Sequence, residues 1–218
     1  MAVEKKSEIV VIGAPKFVHV SLRIQGNAPL VIQRFSKKFE LMDRMATAAV
    51  DKPPRAVRVV RDYASEYEAA RHKSTEGWDG ISAAAFRSAM IRACSAAKVQ
   101  MTQAKMALFI EADGFDVHDG VPLVRIHSKN GPEQFSAPAR NDNGSVDIRV
   151  RPLWREWWCK VRIKFDADML SAQSVANLLM RAGIQVGVGE GRPFSKESHG
   201  QGWGTFDVVA EDQTKEAV

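Results

Sequence analysis

Cysteine and long apolar runs are scarce in this chain of 218 residues. Cys94 and Cys159 stand alone and far apart, without the close spacing of a zinc site. Cys94 falls on the apolar side of a predicted helix and Cys159 lies beside a tryptophan pair, so two buried free thiols in a reducing compartment are expected. No apolar run approaches the roughly 20 residues that span a bilayer, which argues against a membrane helix. The opening Met-Ala-Val-Glu-Lys-Lys-Ser-Glu has no apolar h-region, so a cytoplasmic protein without a secretion signal is the expectation. His19, His72, His118, His127 and His199 are scattered without metal spacing, and neither a metal nor a cofactor is expected. There is no repeat at solenoid spacing and no Gly-Lys-Ser/Thr.

What is present, 45% hydrophobic and 26% charged residues, is ordinary for a soluble globular protein, and the order of elements set out below reads as α+β. The formal charge of +5 permits an acidic partner, and its distribution is informative. Between Arg140 and Lys164, seven basic residues face three acidic ones. Residues 1–210 read as one domain and 211–218 as a frayed tail, since Glu211, Asp212, Lys215 and Glu216 form a short mixed-charge end.

Phe17 to Ile24 alternates, with Val18, Val20, Leu22 and Ile24 on one side and His19, Ser21 and Arg23 on the other, the pattern of a half-buried strand. Gly26-Asn27 ends it, and Pro29 to Phe35 reads as a return strand or a loop. Phe39 to Val50 has helical spacing before Asp51-Lys-Pro-Pro-Arg breaks it, and Asp62 to His72 is polar and helix-forming. Residues 36–80 thus form a weakly hydrophobic excursion. Ser82 is expected to cap a helix burying Phe86, Met90, Ala93, Cys94 and Ala97. Leu108 to Val117 and Val121 to His127 suggest a hairpin about Asp119-Gly120. Val146 to Val150 and Val161 to Phe165 are alternating strands, Ser171 caps a second amphipathic helix that Gly183 should end, and Thr205 to Val209 closes as a strand. The order β-α-β…β-α-β is that of a ferredoxin-like or RRM-like antiparallel sheet with two helices on one face.

Alternation leaves Arg149 and Arg151 outward on one predicted strand, Lys160, Arg162 and Lys164 on the next, and Arg23 on the first. Three strands carrying cations on the face away from the core would make a platform for phosphates, although outward positions are polar in any half-buried sheet. Trp154, Trp157 and Trp158 lie between the two basic strands and Trp203 farther on, placed to stack on bases or to pack. The sheet lacks the paired aromatic motif of a standard RNA-recognition module, which favours backbone grip over base readout.

Seven of the 15 glycines fall between Ala182 and Phe206: Gly183, Gly187, Gly189, Gly191, Gly200, Gly202 and Gly204. A dinucleotide or phosphate loop needs strand, glycines, then helix, so that a helix N-terminus meets the phosphate. Here a helix precedes the glycines and a strand follows, which excludes both classes. A flexible linker is the plain alternative, but the loop also carries Arg192, Lys196, His199 and Trp203, and a loop clasping a polynucleotide backbone fits these better.

Gly187-Val-Gly189-Glu-Gly191-Arg192 and Gly202-Trp203-Gly204-Thr205-Phe206 resemble the glycine-rich loop of the RAMP superfamily, RRM-fold proteins that form the RNA-binding backbone of CRISPR effector complexes. Gly80-Ile-Ser-Ala-Ala-Ala-Phe-Arg-Ser-Ala-Met-Ile-Arg-Ala is similar to that family's first-helix entry, and the long insertion at 36–80 to the thumb of its backbone subunits. These motifs cover about a third of the chain, and similar chains occur in phages and prophages. The resemblance implies a sequence-tolerant binder of single-stranded RNA or DNA, oligomeric or filamentous along the strand, in a CRISPR-like or phage recombination and annealing role. Arg23, Arg149, Arg151, Lys160, Arg162 and Lys164 would then hold phosphates, with Arg87, Arg92, Gly187, Gly189, Gly191, Arg192, Lys196 and Trp203 near the glycine loop. No catalytic residue is assigned. Two alternatives stay open: a metal-independent endoribonuclease using His199, with Asp43 a weaker candidate, and a protein-binding structural or inhibitory subunit.

Overall fold

The computed structural model describes residues 13–34, 61–140, 146–194 and 200–209. The predicted helix at 39–50, the first part of the 36–80 excursion and the tail at 211–218 lie outside the described residues. The fold is α+β, with ten antiparallel strands in three open sheets and four α-helices among the described residues.

Strand β1 (Phe17–Gly26) follows the alternation read from the sequence, with Ile24 sealed and Val18, Val20 and Leu22 packed against the core. Its neighbours are β9 (Trp158–Asp166) and β10 (Phe206–Val209), and β9 in turn pairs with β4 (Leu108–Glu111). In chain order the sheet runs fourth, first, third, second. Helix α2 (Ala83–Ala97) lies between the first two of these strands in the chain and α4 (Ala172–Arg181) between the last two. Phe86, Met90 and Cys94 of α2 and Val175, Leu178 and Leu179 of α4 join Ile24, Val161, Ile163 and Phe165 in one buried cluster. Both cysteines are buried and free, as expected.

Helix α1 (Tyr63–Ala70) begins at Asp62, whose carboxylate accepts from the amides of Ala64 and Ser65. Ser171 caps α4 by accepting from Ser174, whereas Ser82 precedes α2 without a side-chain cap bond. Helix α3 (Met101–Ala107) leads directly into β4.

The second sheet joins β2 (Leu30–Val31) to a long hairpin of β7 (Glu133–Arg140) and β8 (Val146–Trp154). The third is small, with β3 (Gly80–Ser82) and β5 (Gly114–Phe115) flanking β6 (Pro122–Arg125). Four expectations are corrected here. Leu108 to Val117 is not one hairpin arm: its first half enters the main sheet, and only Gly114-Phe115 folds back on Pro122-Leu123 about the Asp119-Gly120 turn. The basic strand of 146–150 runs on to Trp154 and belongs to a different sheet from Lys160, Arg162 and Lys164.

Trp154 and Trp157 are sealed in the core and offer no stacking surface. The Trp157 indole lies against Gly26, where a Cβ would stand 2.2 Å from its Nε1, and it donates to the Ala28 carbonyl at 2.8 Å. Lastly, Gly183 does not end α4. The helix widens into a π-turn over Ala182–Val186 and stops at Gly187, with φ of 72° and an amide that donates to Ala182 at 2.8 Å. Gly183 is small for another reason: a Cβ there would lie 2.1 Å from the Phe206 carbonyl oxygen.

Candidate nucleic-acid interface

The cations expected on one platform divide between two surfaces. On the face of the four-stranded sheet turned away from the helices, the register sets Arg23 beside Lys160, Ser21 beside Arg162 and His19 beside Lys164. Four of the six cations expected on the platform, Arg23, Lys160, Arg162 and Lys164, therefore share this face. Arg23 stands 4.2 Å from the Trp158 ring, on which His127 also stacks at 3.8 Å. Burial, with Arg125 and Arg23 nearby, holds the His127 ring below the usual histidine range. At the other end of the face, Phe17 meets Phe109 edge-on and Lys164 sits 5.1 Å from the Phe17 ring. Arg162 pairs with Asp113 at 2.9 Å, and His19 with Glu111 at 3.0 Å.

Arg149 and Arg151 belong to the second sheet, and Arg151 is not outward at all. From Val150 to Trp154 every residue of β8 is buried, because β2 lies along the strand and the glycine loop approaches it. Arg151 pairs with Glu190 of that loop at 2.8 Å and reaches Gln33. Burial lowers the Arg151 guanidinium and raises the Glu190 carboxyl despite their contact. The pair therefore ties the loop to the second sheet rather than offering a charge to solvent.

The second surface is a cleft of about 1130 Å³ between the outer side of α2 and the glycine loop. Arg87, Arg92, Lys105 and Arg192 line it, with Gly187 and Gly189 in its wall. Arg87 donates through Nε to the Leu108 carbonyl at 2.8 Å and through its terminal nitrogen to the Lys105 carbonyl. Arg192 donates to the Gly189 carbonyl at 2.7 Å, and the Arg92 guanidinium lies 4.9 Å from the Phe194 ring.

The loop's glycines serve its own packing first. Gly204 has φ of 64° and would place a Cβ 1.8 Å from the Val188 carbonyl oxygen; Gly189 has φ of 75° and would meet the Val31 carbonyl oxygen at 2.4 Å. The amides of Val188, Glu190 and Gly204 are engaged by Gly204, Val31 and Pro29. Gly191 packs against Trp203, itself edge-on to Phe135 of β7. Lys196 and His199, like Asp43, lie outside the described residues.

The sequence reading missed Lys105 and a buried cluster beside the cleft. His72, just after α1, places Nδ1 2.7 Å from Asp116 Oδ2. Asp116 Oδ1 accepts from the amides of His118 and Asp119, and Arg34 lies 3.9 Å away. Burial alone would raise the Asp116 carboxyl; the His118 amide and the His72 ring outweigh it and hold the carboxyl below its ordinary value. His72, Asp116 and Asp119 bring potential metal-ligand atoms within 4.8 Å of one another. Asp116 Oδ1 already accepts from two amides, and the Arg34 guanidinium supplies positive charge nearby. The partners are 44 positions apart, and no local pattern announces them.

No helix among the described residues is long and apolar enough to cross a membrane. Compared with known proteins, the chain matches no family model and no curated protein.

Proposed function

We propose that this protein binds single-stranded nucleic acid without sequence preference, holding the phosphate backbone in the cleft between α2 and the glycine loop. The observation that carries the reading is the convergence of Arg87, Arg92, Lys105 and Arg192 on one groove walled by glycine backbone. Two stretches far apart in the chain supply these residues, and each had been singled out from sequence apart from Lys105. The strand order, fourth-first-third-second with a helix after the first and third, supports a ferredoxin-like reading and with it the RAMP resemblance. Arg23, Lys160 and Lys164 on the open sheet face form an accessory phosphate surface in this reading, and neighbouring copies assemble along a strand. The role is one of binding rather than catalysis.

The test is fluorescence anisotropy with labelled single strands across a salt series. Each phosphate held by a cation contributes about 0.7 to the slope of log affinity against log salt. A slope of about −2 to −3, falling towards zero in the Arg87→Gln/Arg92→Gln/Arg192→Gln variant, is the expected result. Absence of binding at low salt would sink the reading. Light scattering with and without a long strand tests assembly.

A further inference from the structure

We propose that Phe194 gives the cleft a stacking platform for one base of the bound strand, so that the site holds a base as well as phosphates; the proposal rests on the strand-binding reading above. An exposed phenylalanine alone signifies little, since single apolar residues are common on surfaces. The setting of this one is what counts. Among the described residues, Phe194 is the one large exposed apolar side chain in the lining of the cleft, with half of its surface open. Its backbone is fixed at both neighbours. The Phe194 amide donates to the Val186 carbonyl of the π-turn at 3.2 Å, and Pro193 before it packs on Gly187, where a Cβ would stand 2.9 Å from the Pro193 Cδ. The Arg92 guanidinium lies over the ring, 4.9 Å from its centroid. Arg192, two residues earlier in the chain, is held by the Gly189 carbonyl and lines the same cleft.

A nucleotide presents two chemistries, an anionic phosphate and a flat π-face. Arg87, Lys105 and Arg192 suit the first, since each can only donate. The Phe194 ring suits the second: Arg92 occupies one of its faces, and a base laid on the other gains apolar contact while the cation–π pair steadies the ring. Every base has a π-face, so such a platform is indifferent to sequence. The two contributions also separate in salt. Phosphate contacts weaken as ions are added, whereas a stacked base releases no counterion.

The experiment compares an intact strand with an abasic strand of equal length and charge by anisotropy across a salt series. Both are about 12 nucleotides long, to match typical site sizes, and carry ribose or deoxyribose, whichever sugar the protein binds more tightly. The expected result is an intact strand bound about tenfold more tightly than the abasic one, the scale of one stacked base. Phe194→Ala should bring that ratio to about one with the salt slope unchanged, and Phe194→Tyr should keep it. A preference for the intact strand that survives in Phe194→Ala would overturn the proposal. So would a slope that falls by about 0.7 in Phe194→Ala, because the ring would then serve only to position Arg92 on a phosphate. Intact and abasic strands bound alike by the unaltered protein remove this proposal and leave strand binding standing; binding of neither removes both.

Discussion

The open sheet face and the cleft each carry four cations, yet their surroundings differ in kind. On the sheet, Arg162 faces the Asp113 carboxylate, so part of the positive charge is cancelled where it arises. In the cleft, Arg87 and Arg192 are anchored by neutral carbonyls, which orient a guanidinium without discharging it. The acid in the wall, Glu190, pairs with Arg151, while its carboxyl also feels Arg149 and Arg192. What these cations are bonded to, rather than how many there are, ranks the cleft first.

The largest expected effect breaks the cleft itself. Gly204→Ala places a Cβ against the Val188 carbonyl at positive φ, and should cost about 3 kcal/mol or more in urea unfolding, with strand binding lost at temperatures where the loop detaches. Next comes the direct contest between the surfaces. Arg87→Gln/Arg92→Gln should lower the salt slope by about 1.4, whereas Lys160→Gln/Lys164→Gln should lower it by less than half of that. Equal losses would erase the distinction drawn here.

Acid tests the network beside the cleft. Asp116 has a folded-state carboxyl held below its unfolded value of about 3.9, so its stabilisation is complete above that value and is lost as pH falls through the lower, folded one. Denaturant midpoints should therefore drop steeply below about pH 4, and less steeply in Asp116→Asn. The smallest effect belongs to the sheet face. Arg23→Leu removes a cation beside the Trp158 ring and should change stability by less than about 1 kcal/mol, while shifting tryptophan emission.

Much of the main sheet was legible in the sequence because its strands alternate cleanly and its two helices carry one apolar face each. The β1–β9 register could not be read there, yet it sets Arg23 beside Lys160 as the alternation implied. Arg151 misled because alternation signals burial on one face only, and β8 becomes covered on both where β2 and the glycine loop meet it. The tryptophans misled for a related reason: an indole between charged strands looks exposed until a glycine such as Gly26 is found to make room for it. The cleft was half legible. Its glycines and arginines stood out by type and position, but the His72–Asp116 contact joins the loop after α1 to the residue just past β5, and only the tertiary fold creates it.

The place of β10 has a consequence for how the molecule is made. β1 is among the first described elements to leave a ribosome, yet one of its two edges is completed only by residues 206–209, with Arg23 opposite Val209 and Gly26 opposite Phe206. The Asn27 amide waits likewise for the Thr205 carbonyl, and the Val188 amide for that of Gly204. At a synthesis rate of about 5–20 residues per second, the nascent chain spends on the order of ten seconds or more with that strand edge bare and the groove unwalled. The groove therefore cannot be completed until residues 204–209 have been synthesised, and any ligand it holds must wait for that point.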